Sequence, residues 1–151
     1  MIAADKAYFL GLAQKLRTLN ETDKPLWGGM TLQHMVEHVV GSWRISNGRA
    51  QVKLTISEEE SETRRATLEN EPTYPKNLAN PMFANGLPPL RKASLSDAID
   101  QLEDEVTAFF AYHKDNPDAI EVHPIYGPMD YAAWIYFQKK HMGHHLSQFG
   151  L

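Results

Sequence analysis

The 151-residue chain contains no cysteine. That absence excludes disulfide staples, thiolate metal sites, iron–sulfur clusters and a cysteine nucleophile, so a metal here has to rest on histidine and carboxylate. Positive charge is also scarce: 15 Lys and Arg stand against 19 Asp and Glu, a formal net charge of −4. Binding to phosphate backbones needs a basic surface, so no nucleic-acid partner is expected. No window approaches the roughly 18 apolar residues of a membrane span. The opening MIAADKAYFLGLAQKL also lacks a basic segment running into an apolar one. The expectation is a cytoplasmic protein without a membrane partner, folded as a single domain over residues 1–151 and long enough to bury a core unaided.

Strand alternation is nearly missing as well, with VKLTI at 52–56 its sole sustained instance. What is present is helical periodicity in four stretches. In the first, Phe9, Leu12, Leu16 and Leu19 recur at three- and four-residue steps, with Asn20 at its C-terminal end. The second starts at Thr31, whose hydroxyl can cap free amides, and ends near Asn47-Gly48. Its apolar arc is Leu32, Met35, Val36, Val39 and Trp43. The third runs from Ser94 or Ser96 to His113, with Ile99, Leu102, Val106, Phe109 and Phe110 on one side, and Asn116-Pro117 stops it. The fourth begins at Pro128, a residue preorganised for the first helical position, and reaches about Phe149.

Between the second and third helices lies a stretch of another character. Five of the nine prolines fall in EPTYPKNLANPMFANGLPPL, after the charged run SEEESETRRATLE, in which Ser57 and Glu60 can cap a short helix. A surface crossover is the plain reading of residues 50–93, and a lid over a substrate is the functional one. The predicted class is all-α: a four-helix bundle with a long crossover between helices 2 and 3, whose sites are built from side chains pointing inward.

Three of the seven histidines lie within KKHMGHHLSQFG at 139–150. At about 100° per residue, Trp134, Gln138, His141, His145 and Gln148 fall on one line of the fourth helix, and His144 lies on its flank. His141 and His145 are one turn apart, a spacing at which two imidazoles bind one ion. A third ligand has to come from elsewhere. On the second helix His38 is nearer the apolar arc than His34, which reads as a surface or outer group. A satisfied surface or core side chain is the commoner state of any single helical histidine. His113 reads as stabilising its own helix terminus, and His123, before Pro124, as hydrogen-bonding the turn HPIYG.

Trp27…Met30-Thr31-x-x-His34-x-x-x-His38, taken with His123-Pro124-x-x-Gly127…Trp134…His141-x-x-His144-His145-x-x-Gln148-Phe149-Gly150, resembles the DinB-like superfamily of metal-binding four-helix bundles. The resemblance extends to a bacterial branch ending in HHLxQFG. It implies a divalent ion held by His38, His141 and His145. Many relatives carry H-R-G-Q where this chain has His145-Leu146-Ser147-Gln148, so contacts of that arginine are not carried over. Characterised relatives include thiol-dependent enzymes, such as mycothiol-linked isomerases and bacillithiol transferases.

Three neutral imidazoles would leave an ion such as zinc or nickel, or iron or manganese, with its full charge and open positions. A small-molecule substrate, a thiol among them, could then be activated. His34, Glu37 and His144 lie one turn from a proposed ligand as candidate bases, and Gln138 and Gln148 are candidates to orient ligand rings. Two readings follow: a thiol-dependent transferase or metal-dependent hydrolase, or a non-catalytic helical module with a structural or adventitious metal. A homodimer is the expected assembly.

Overall fold

The computed structural model describes residues 2–76 and 83–151. Four long helices make the bundle: α1 (Ile2–Leu16), α2 (Leu32–Ser46), α4 (Leu95–Asp115) and α5 (Tyr131–Ser147). A short helix, α3 (Glu58–Arg65), lies in the crossover, and a hairpin of β1 (Glu121–His123) and β2 (Gly127–Met129) precedes α5. The fold is therefore all-α with one minor sheet. No described helix is long and apolar enough to cross a membrane.

Local chemistry sets the helix starts. The side-chain oxygens of Thr31, Ser57, Ser94 and Asp130 each accept from the backbone N–H three residues on. Each such cap satisfies one orphan amide and contributes about 1 kcal/mol. α2 is the central element, packed most broadly on α4 and also against α5. Its arc of Leu32, Met35, Val36, Val39 and Trp43 is buried as expected. Trp43 meets Phe9 edge-on at 4.8 Å and Phe109 at 5.2 Å between ring centroids, which ties α1, α2 and α4 together. Several buried polar side chains in this half are paired across elements, although the Trp43 indole nitrogen has no partner. Gln138 spans from α5 to Ser42 (3.1 Å) and Ser46 (3.3 Å), and Glu105 accepts from Asn47 (2.7 Å) and Arg49 (3.0 Å).

Several boundaries differ from those expected. α1 ends at Leu16, because the amides of Arg17, Thr18 and Leu19 bond three residues back and tighten the chain into turns before Asn20. α5 starts at Tyr131, since Asp130 supplies a cap that Pro128 cannot. Pro128 instead sits in β2 opposite Val122, where a two-stranded ribbon tolerates a residue without an N–H. Residues 52–56 form no strand: Val52, Leu54 and Ile56 are half-buried, and Thr55 N–H donates to the Pro124 carbonyl at 2.8 Å. The lid assigned to 50–93 includes residues 77–82, which lie outside the described residues.

Candidate metal centre

His38 projects from α2 and His141 and His145 from α5, and the three rings meet. One ligand nitrogen from each lies within 4.8 Å of the other two. Ring centroids are 5.0 Å apart for His38 and His141, 4.7 Å for His38 and His145, and 4.6 Å for His141 and His145. Among the described residues no carboxylate or fourth imidazole joins this cluster.

The surroundings fix each ring. His145 Nδ1–H donates to Gln148 Oε1 at 2.8 Å, which leaves Nε2 as the free donor atom. Gln148 is itself held: Leu26 N–H donates to its carbonyl at 2.7 Å, and Gly28, at φ +86°, passes so close that a Cβ there would stand 2.7 Å from Gln148 Nε2. His141 is stacked on Phe137 at 5.0 Å, and Phe83 from the crossover meets His38 edge-on at 5.4 Å. His38 Nε2 and His141 Nε2 are 3.0 Å apart.

Burial sets the protonation. It pushes the His38 imidazolium down to about 4 and that of His145 to about 3, with repulsion from neighbouring imidazoles adding to the effect. His141 lies well below the ordinary histidine range for the same reasons, burial first and then His145 and His38. At neutral pH all three rings keep free lone pairs, so a cation would not have to displace protons. The 3.0 Å between the Nε2 atoms of His38 and His141 is also a distance that two donors to one ion can have. Two donors each about 2.1 Å from one metal, at a right angle, stand about 3.0 Å apart. His141 Nδ1 is buried without a partner, so the polar contact of that ring is its Nε2 facing the Nε2 of His38.

The other candidates serve structure. His34 lies with Nδ1 against the Thr31 hydroxyl (2.6 Å) and Nε2 against the Pro88 carbonyl (2.9 Å), tying the crossover to the start of α2. Glu37 accepts from the Arg91 backbone (2.6 Å) and from Gln33 (3.1 Å). Burial acts to raise its carboxyl, but these bonds outweigh it and hold the group below its usual range, so Glu37 is committed to the crossover. His144 lies on the flank, 5.0 Å from His145 between ring centroids, and packs between Trp27 (4.9 Å) and Tyr74 (5.5 Å). His123 Nδ1 accepts from the amides of Ile125 and Tyr126 at 3.1 and 3.2 Å, the turn role foreseen for it.

Two expectations are corrected. His113 does not stabilise its own helix as a cation: it is buried, burial lowers its pKa, and its Nε2–H donates to the Ser46 carbonyl at the end of α2 (3.0 Å). Gln138 orients no ligand ring. It shares the line of His141 and His145 but sits a turn away, where its bonds go to Ser42 and Ser46. Tyr74 and Phe83 were missed. The available signal was an aromatic residue in an otherwise polar, proline-rich crossover.

A family model described as the DinB superfamily matches residues 3–149. The chain belongs to the DinB superfamily. Comparison with curated proteins and with solved structures gives no match. Membership in the DinB superfamily and the cluster of three histidines together suggest metal binding.

Proposed function

We propose that this DinB-superfamily chain binds one divalent ion, zinc or nickel by preference, through His38, His141 and His145, and presents it to a small molecule as a thiol-dependent transferase or a hydrolase. The observation that carries the reading is the convergence of three ligand nitrogens within 4.8 Å with no fourth group among the described residues. A structural site is coordinatively closed, whereas three protein ligands leave room for water or substrate. When bound, such an ion lowers the pKa of water towards about 7 or stabilises a thiolate. The chain's own part is to hold the rings. Gln148 fixes the tautomer of His145, and Phe137 and Phe83 pack against the imidazoles of His141 and His38.

The test is metal analysis of protein purified without an affinity tag, beside His141→Ala and His145→Ala. About one ion per chain in the wild type and none in either variant is expected. Stoichiometric metal in both variants refutes the assigned ligands.

A second reading has its own support. At 3.0 Å, His38 Nε2 and His141 Nε2 also suit an N–H···N hydrogen bond that clips α2 to α5 without metal. On that reading the untagged protein carries no stoichiometric metal, and His141→Ala lowers stability alone.

A further inference from the structure

Lys140 is 4% exposed, yet no carboxylate lies within ion-pair distance of it among the described residues. Its neighbour Lys139 takes Asp5 instead, at 3.2 Å. The Lys140 ammonium lies over the ring of Tyr74, 4.4 Å from the centroid, and the Tyr74 hydroxyl is engaged with that of Tyr126 at 2.8 Å. Glu71, the carboxylate whose charge acts on it, is exposed and makes no ion pair with it. An ammonium with little access to water and no counter-charge is costly, and a ring face offsets only part of that cost, so an anion that reached it would be favoured.

The location gives the ammonium a use. Lys140 precedes the ligand-bearing His141 and stands one helical turn before His144, and Tyr74 bridges the two, over Lys140 and 5.5 Å from His144. Trp27 closes the other side of His144 at 4.9 Å, with the Lys76 ammonium 5.8 Å from its ring. The flank of the three-histidine cluster is thus aromatic and cationic. The geometry points to Lys140 as the anchor for an anionic group, a carboxylate or a phosphate, on the small molecule that the metal centre engages. The inference rests on the metal reading for what the rest of that molecule does, while the anion's own binding is measurable without metal.

The experiment titrates inorganic phosphate and, separately, benzoate into wild type, Lys140→Met and Lys140→Arg by calorimetry. Ionic strength is held constant, and each protein is used metal-loaded and chelator-treated. Methionine keeps the stem and removes the charge. The expected result is that one of the two anions binds wild type at least roughly tenfold tighter than Lys140→Met, that arginine restores much of the difference, and that metal content is the same in all three. Phosphate selectivity or benzoate selectivity then names the group. Removal of an uncompensated ammonium should also raise the melting temperature of anion-free Lys140→Met, which shows that this variant folds. Equal affinity of wild type and Lys140→Met for both anions overturns the assignment. A chain that takes no metal but keeps the Lys140-dependent difference sinks the metal reading alone.

Discussion

His123 and His141 both pack against Phe137, at 4.5 and 5.0 Å between ring centroids, and burial holds both far below the ordinary histidine range. They are held in opposite ways. Around the hairpin, the Nδ1 of His123 takes two amides of its own turn, so the ring is consumed by local structure. Between α2 and α5, His141 has one nitrogen without a partner and the other facing the Nε2 of His38. Burial alone therefore does not mark a ligand. What separates the two regions is whether the backbone has already taken the lone pair.

The largest expected effect comes from exchanging those roles. His141→Ala is expected to lower affinity for a divalent ion by well over a hundredfold, since even the outer contacts of a ligand are worth 10–100-fold. His123→Asn, which keeps an acceptor for the turn amides, should leave metal content unchanged. Competition against a chromogenic chelator reads both. A loss of metal in His123→Asn equal to that in His141→Ala would erase the distinction.

Gln148→Leu comes next. It removes the acceptor that sets the tautomer of His145 and should weaken the same affinity by roughly 10–100-fold while the fold persists, as checked by circular dichroism. Gly28→Ala acts one step further out. A side chain at φ +86° is strained, and its Cβ would sit 2.7 Å from Gln148 Nε2, so the amide must move. A stability loss of about 1–2 kcal/mol by urea melts and a smaller loss of metal affinity are expected. In a double variant with Gln148→Ala, the part due to the contact should be recovered and the part due to backbone strain should remain. Simple additivity would show that the close approach is not what positions Gln148.

The same contrast explains how much could be read from the sequence. Thr31, Ser57 and Ser94 announce helix starts because a cap and the amide that it satisfies lie three residues apart. The role of His123 was legible for the same reason, since its amide partners are two and three residues on. The pairing of His141 with His145 followed from helical spacing, and His38 from the apolar arc of α2. Partners that are distant in the chain were not legible. His113 finds Ser46 across 67 positions, and Gln138 finds Ser42 across 96. A helical wheel gives direction and not height, so Gln138 read as a neighbour of the ligands. The hairpin escaped because strands of three residues show no alternation. Pro128 and Asp130 both announce a helix start, and the residue with an oxygen to offer prevailed.

The smallest effect on metal, and the clearest on acid stability, belongs to His123 itself. Burial holds its folded pKa at about 3, whereas an unfolded histidine titrates near 6.5. Between those values the unfolded chain takes up a proton that the folded chain refuses, so stability falls as pH drops below about 6.5 and the contribution is spent near 3. Above 6.5 both states are neutral there and the term vanishes. Asn at this position does not titrate. Urea midpoints of the chelator-treated protein at pH 7.5, 6 and 5 should fall less steeply in His123→Asn, by at most about 1.4 kcal/mol per pH unit. Any offset at pH 7.5 then measures lost packing on Phe137, Tyr126 and Trp134. Parallel profiles for the two proteins would mean that the ring is solvated in the folded state, and the separation between a histidine used by the turn and one left for an ion would lose its physical basis.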